Sequence, residues 1–281
     1  MTQFRPSSFQ ILPPIVKNLL IINGLVFFAQ YIFKTSDFSF SIDDNFALHA
    51  WQSSLFKPWQ LITHMFLHGD TWHIIGNMFA LWMFGSVLEN LWGSKRFLIF
   101  YMVCGLGAAL IHLLFLSYEL VPLMKDYANV FQLHISGSQD QGNAMDAFIN
   151  KYHILFEQHN RELHSYLQTD AANDEYNAAI FKNITFWYQN NLNTATIGAS
   201  GAIFGVLAAF VYLFPNTYIY IYFLVPVKAK WLGILYFLFE LFNAIRNSAG
   251  DNVARWAHVG GAIVGLLIVI TWNKTNRKTF Y

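Results

Sequence analysis

Charge is scarce in this chain. Asp, Glu, Lys and Arg make up 12% of its 281 residues, where soluble domains carry about 25%, so the composition excludes an ordinary water-soluble globule. Cysteine is nearly absent: Cys104 is the only one, and an intrachain disulfide is impossible. Lys and Arg number 17 against 16 Asp and Glu, which leaves no basic surplus for binding nucleic acid. Apolar residues fill the sequence instead, with 55% hydrophobic, 18% aromatic and a mean hydropathy of +0.35. This composition predicts a polytopic protein embedded in a lipid bilayer and held together by packing alone.

Apolar windows long enough to cross a bilayer fall at residues 15–33, 72–91, 96–117, 198–214, 229–245 and 254–272. The first is read as a span, since no small-residue cleavage site follows Phe27-Phe28-Ala29-Gln30-Tyr31 before Lys34. An even number of spans places both termini on one side, together with Arg5, Lys17, Lys95, Arg96, Lys228, Lys230, Lys274, Arg277 and Lys278. By the positive-inside rule that side is the cytoplasm, so a multi-pass protein of the cell (plasma or inner) membrane is expected.

The predicted fold class is all-α. A membrane domain of residues 1–117 and 196–281 is interrupted by an extracytoplasmic helical insert, 118–195, between the third and fourth spans. Within the insert, Met145, Phe148, Ile149, Tyr152, Leu155, Phe156, Leu163, Tyr166 and Leu167 recur at helical spacing. Asn173, followed by Asp174 and Glu175, predicts the N-cap of another helix through Tyr176, Ile180, Ile184 and Trp187. The aromatic loop from Lys34 to Thr71 is placed at the outer interface, and the apolar stretch from Thr217 to Val227 at the inner one or at the start of the fifth span.

Two short strings carry chemistry: Gly198-Ala199-Ser200-Gly201 and Ala257-His258-Val259-Gly260-Gly261, each opening an apolar segment. Ionisable groups inside transmembrane segments are costly and mark function, and a serine beside a base is the nucleophilic pair of acyl transfer. Spans two, four and six run in the same direction, so their beginnings share one depth. Gly201 with Gly205, and Gly261 with Gly265, are small-xxx-small pairs that let helix backbones approach closely. They predict that the helices of Ser200 and His258 are neighbours. His73 and Asn77 lie four apart on the second span and share a face. With the Ser200 backbone N–H they supply donors for an oxyanion. No acidic third member is evident: Asp251 is read as a helix cap or loop residue, and Glu89 and Glu240 as holding helix ends or loops.

With these residues in place the chain resembles the rhomboid family of intramembrane serine proteases. The resemblance is carried by His68, His73 and Asn77 in His-Gly-Asp-Thr-Trp-His-Ile-Ile-Gly-Asn, by Gly198-Ala199-Ser200-Gly201, and by Ala257-His258 with Gly261 and Gly265. Gly85 and Glu89 before Lys95-Arg96 also match. The resemblance implies a six-helix bundle with Ser200 as nucleophile, His258 as general base, and His73, Asn77 and the Ser200 amide as oxyanion donors. It further implies that Phe204 sets an aromatic ring against the histidine, that His68 is structural, and that no metal or other cofactor is needed. Substrates would be transmembrane segments of other proteins. The chain departs from the family at Trp59-Gln60, where many bacterial members have Trp-Arg, and in the length of its insert.

Plainer readings stand beside these. Small residues such as Ser200 mostly serve packing in membrane helices; the company of His258 and the paired glycines favours the nucleophile. His64, His68 and His73 are a conceivable metal set, disfavoured because Gly69-Asp70 breaks the helix between them and Asp70 reads as an N-cap. His112 is read as an interhelical donor, and His134, His153, His159 and His164 as solvated. A catalytically silent client-binding relative is the alternative function; a transporter would show repeated halves, and none is found.

Overall fold

The computed structural model describes residues 9–36, 40–152, 174–221, 224–246 and 254–276. Helix α1, Pro14–Thr35, starts with proline at its first position, where the missing N–H costs nothing. Its next amides, Ile15 and Val16, donate to the Glu89 carboxylate at 2.9 and 2.8 Å, and Ser94 Oγ donates to the same carboxylate at 2.6 Å. Glu89 therefore holds a helix end, as expected, with a negative charge at a helix N-terminus.

Two short helices, α2 (Ile42–Phe46) and α3 (Gln60–Thr63), lead into a 3₁₀ turn at His64–Phe66. Gln60 takes over the anchoring of this loop. Fully buried, its Oε1 accepts from the Lys57 amide at 3.1 Å and its Nε2 donates to the Leu55 carbonyl at 2.9 Å. The second apolar segment is α4 (Thr71–Ala80), a π turn at Leu81–Gly85 and α5 (Ser86–Trp92). Asp70 caps it by accepting from the His73 amide at 2.9 Å, the predicted cap.

Helix α6 runs unbroken from Ser94 to Ile135, 42 residues, or about 63 Å. It passes the expected end of the third span at 117, because Ser117-Tyr118-Glu119-Leu120 contains no helix-stopping residue and Pro122 removes only one backbone donor. Helices α7 (Gln141–Lys151) and α8 (Asp174–Leu192) fold back on this extension. A separate core forms there from Leu120, Leu123, Val130, Met145, Phe148, Ile149, Ile180, Ile184 and Trp187. Asp126 of α6 accepts from Lys151 Nζ at 2.6 Å and from the Tyr152 hydroxyl at 2.9 Å. The predicted continuation of the amphipathic helix through Leu155, Phe156, Leu163, Tyr166 and Leu167, and the Asn173 cap, lie outside the described residues. The insert also touches the first loop through a 2.6 Å bond from Ser53 Oγ to Asn193, and Thr196, just past the insert, exchanges paired backbone bonds with Leu48.

Helix α9 spans Ser200–Leu213, α10 Ala229–Arg246 and α11 Arg255–Asn276. Between α9 and α10 lies an antiparallel hairpin, β1 (Tyr218–Ile221) with β2 (Val225–Lys228), so the fold is not purely helical. The alternating Thr-Tyr-Ile-Tyr-Ile-Tyr is aromatic and β-branched and suits a pleated ribbon. The main core joins α1, the second segment, α6, α9 and α11 around Leu81, Leu88, Phe97, Phe100, Tyr101 and Val206. Among the described residues, four helices are long and apolar enough to cross a membrane: Pro14–Thr35, Thr71–Trp92, Ser94–Ile135 and Arg255–Lys274. Helix α9, with 14 residues, extends only about 21 Å. Helix α10 carries Lys230, Glu240, Asn243 and Arg246 in its otherwise apolar sequence.

Candidate active site

Helices α9 and α11 meet at their glycines. A Cβ on Gly261 would overlap the carbonyl oxygen of Gly201, and one on Gly265 would lie 2.6 Å from Gly205 Cα. Backbone contact of this kind, with α6 bringing Ala108 against Gly201, fixes the separation of the two helix starts. Ser200 is the first residue of α9 and His258 lies in the first turn of α11. Ser200 Oγ is 2.8 Å from His258 Nε2. Phe204, one turn after the serine, stacks on the imidazole with centroids 4.3 Å apart and planes 9° from parallel.

The chain enters α9 through Gly198, whose φ of +129° is a conformation side chains rarely adopt. Its amide donates to the His64 carbonyl at 2.9 Å, so the 3₁₀ turn of the first loop positions the approach to the serine. A Cβ on Gly198 would sit 2.8 Å from His73 Nε2 and 3.5 Å from Ser200 Oγ; glycine leaves room for both. The ring of His73 thus lies beside the serine. Asn77, one turn further along α4, is buried, and its Nδ2 has no hydrogen-bond partner. As the first helical residue, Ser200 also has a backbone N–H without an acceptor inside α9. Unspent donors on α4 and α9 suit a group that appears only during a reaction.

His68 packs edge-on against His73, with centroids 5.1 Å apart, and its ring nitrogens find no partner of good geometry. Its backbone N–H donates to Gln30 Oε1 at 3.0 Å. Burial lowers the pKa of His68 to about 4, with the neighbouring His73 acting in the same direction, and burial does the same for His64. Among the described residues no three His, Cys, Asp or Glu side chains converge as metal ligands. His112 Nε2 lies 2.9 Å from Thr196 Oγ1, in the segment that leads into α9, so its partner is on a loop and not on a neighbouring helix as expected. His134 stacks on Phe181 at 3.9 Å rather than standing free in solvent. His153, His159, His164 and Asp251 lie outside the described residues.

Sequence reasoning missed the role of Glu240. Its Oε2 lies 3.2 Å from Nη1 of Arg255, the first residue of α11, which fits the expected hold on a helix end, and 3.1 Å from His258 Nδ1, a contact with the imidazole that was not expected. A lone acid in an apolar helix was the available signal, but only the packing of α10 on α11 reveals its neighbour.

Residues 55–123 and 175–274 match the family model of the Rhomboid domain. The chain is 23% identical over 273 residues to the mitochondrial RHOMBOID-like protein 12 of Arabidopsis thaliana, covering 95% of this chain and 60% of that protein. It is 27% identical to an uncharacterized mitochondrial rhomboid protein of Schizosaccharomyces pombe, covering 88% and 60%. To the rhomboid protease AarA of Providencia stuartii it is 26% identical, covering 91% and 71%. The chain thus spans 60% of the length of the first two relatives. Matched to the family model over more than half of its residues, the chain belongs to the rhomboid family.

Proposed function

We propose that this chain is an intramembrane serine endopeptidase that cuts transmembrane segments of other membrane proteins. The observation that carries the reading is the 2.8 Å approach of Ser200 Oγ to His258 Nε2, with Phe204 stacked on the ring. Ser200 attacks the scissile carbonyl carbon while its proton passes to His258 Nε2. The carbonyl oxygen becomes an oxyanion facing His73, Asn77 and the Ser200 amide. When the tetrahedral species collapses, the peptide C–N bond breaks and His258 returns the proton to the leaving amine. Water, deprotonated by the same imidazole, then hydrolyses the acyl-enzyme and frees Ser200. Peptide carbonyls in a helix are already hydrogen-bonded, so the substrate unwinds locally and small or helix-weak residues are favoured at the cut.

In this reading α9 and α10 complete a six-span bundle, as the fourth and fifth spans. Both termini lie on the basic side, and residues 118–195 form an insert on the opposite side. The segment expected as a cap, Asn243 to Val253, begins within α10, which runs to Arg246, and its residues 247–253 lie outside the described ones. A plasma membrane finds no support, since two of the relatives matched over most of this chain bear mitochondrial names. Labelling of the purified chain by a serine-reactive fluorophosphonate, abolished by Ser200→Ala, tests the nucleophile. A folded wild-type chain that takes up no label would instead be a catalytically silent client-binding protein.

A further inference from the structure

We propose that Glu240 is a positioning residue that turns the Ser200–His258 pair into a Ser-His-Glu triad, a role that rests on the protease reading above. The two nitrogens of His258 face two different partners: Nε2 lies 2.8 Å from Ser200 Oγ, and Nδ1 lies 3.1 Å from Glu240 Oε2. A carboxylate only accepts, and a neutral imidazole has one donor and one acceptor nitrogen. Glu240 therefore holds the proton on Nδ1 and leaves the Nε2 lone pair aimed at the serine hydroxyl. Phe204 cannot make this choice, because a ring stacked on the imidazole face does not distinguish its two nitrogens.

Electrostatics point the same way. Glu240 is only 3% exposed, and an unpaired carboxylate buried in an apolar helix is strongly unfavourable. Arg255, the first residue of α11 and one turn before His258, sets Nη1 3.2 Å from the same Oε2. The carboxylate is thereby kept ionised beside the imidazole. When the Ser200 proton moves to Nε2, the imidazolium forms against a fixed negative charge. Glu240 takes no proton, and Nδ1–H stays on the ring throughout. Because Glu240 belongs to α10 and His258 to α11, the third member is present only while α10 is seated on α11.

Glu240 could alternatively serve only as the counter-ion of Arg255, and two variants of the full chain separate the roles. Glu240→Gln keeps the shape and removes the charge; Glu240→Gln with Arg255→Gln removes both charges. Fluorophosphonate labelling rate, kcat and KM on a fluorogenic transmembrane peptide, and Tm are measured for each. The triad predicts that Glu240→Gln lowers kcat and labelling by about 10- to 100-fold, short of the roughly 10⁴ seen when such an acid is replaced in a soluble protease. KM should stay within about twofold, Tm should fall because Arg255 loses its carboxylate partner, and the double variant should be no faster than the single. A Glu240→Gln kcat within twofold of wild type overturns the proposal. So does recovery of wild-type kcat in the double variant, which would leave Glu240 a counter-ion only. Should the single variant unfold, the double variant, which buries no unpaired charge, decides. A wild-type chain that neither labels nor cleaves would instead overturn the protease reading on which the triad rests.

Discussion

Gly261 approaches Gly201 so closely that a Cβ on Gly261 would overlap the Gly201 carbonyl. Gly201 follows Ser200, and Gly261 follows His258 by three residues, so this contact sets the distance between nucleophile and base. Gly261→Ala must push α11 from α9, at a cost of about 1–3 kcal/mol for overpacking. We expect a lower Tm and fluorophosphonate labelling reduced at least about tenfold. Gly24→Ala in α1, where a Cβ meets nothing within 4 Å, is the control and should change neither. Wild-type labelling by Gly261→Ala would show that the contact does not set the pair.

Asn77 and His73 make a different prediction. Asn77 Nδ2 is buried without a partner, so removing it takes away no ground-state hydrogen bond. Asn77→Ala should leave Tm nearly unchanged yet lower kcat by about 10²–10³, the usual effect of losing an oxyanion donor. His73→Ala should lower kcat comparably. Normal turnover by both variants would assign the oxyanion to other donors.

Stability should fall on mild acidification. Burial holds His64 and His68 at about 4, while the unfolded chain takes up these protons near 6.5. Between those values the unfolded state binds more protons, so stability is full above about pH 6.5 and is lost as pH falls toward 4. Each histidine contributes up to about 3 kcal/mol. Tm recorded from pH 8 to 4.5 should decline, and the decline should shrink in His64→Gln/His68→Gln. An equal decline in that variant would place the effect on other groups.

The insert should be dispensable for chemistry but not for stability. Replacing residues 137–189 by a flexible linker retains Asn193 and Thr196, which bond the first loop. It also exposes Leu120, Leu123 and Val130 on the α6 extension. We expect a lower Tm with cleavage of a generic transmembrane peptide preserved. A stable variant unable to cut any substrate would place the insert in the active site.

What could be read from the sequence was whatever a local pattern determines. The Asp70 cap, the facing of His73 and Asn77, and the contact of α9 with α11 follow from spacing and small residues. Hydropathy marks a span at 96–117 but says nothing of where α6 ends, because only a stop signal ends a helix, and Ser117 to Leu120 offers none. The hairpin at Tyr218–Lys228 was missed since a short aromatic, β-branched run satisfies either a membrane interface or a ribbon. Glu240 and Gln60 were undervalued for one reason: their partners, His258 in one case and Leu55 and Lys57 in the other, are set by tertiary packing.

The most direct test is proteolysis of a transmembrane substrate by the purified chain in liposomes, with product termini read by mass spectrometry. We predict a cut within or at the edge of the substrate's transmembrane segment. Ser200→Ala and His258→Ala should each fall to background, and the double variant no lower, because the two residues act as one unit. Cleavage at the wild-type rate by purified Ser200→Ala would contradict the proposed nucleophile and the mechanism built on it.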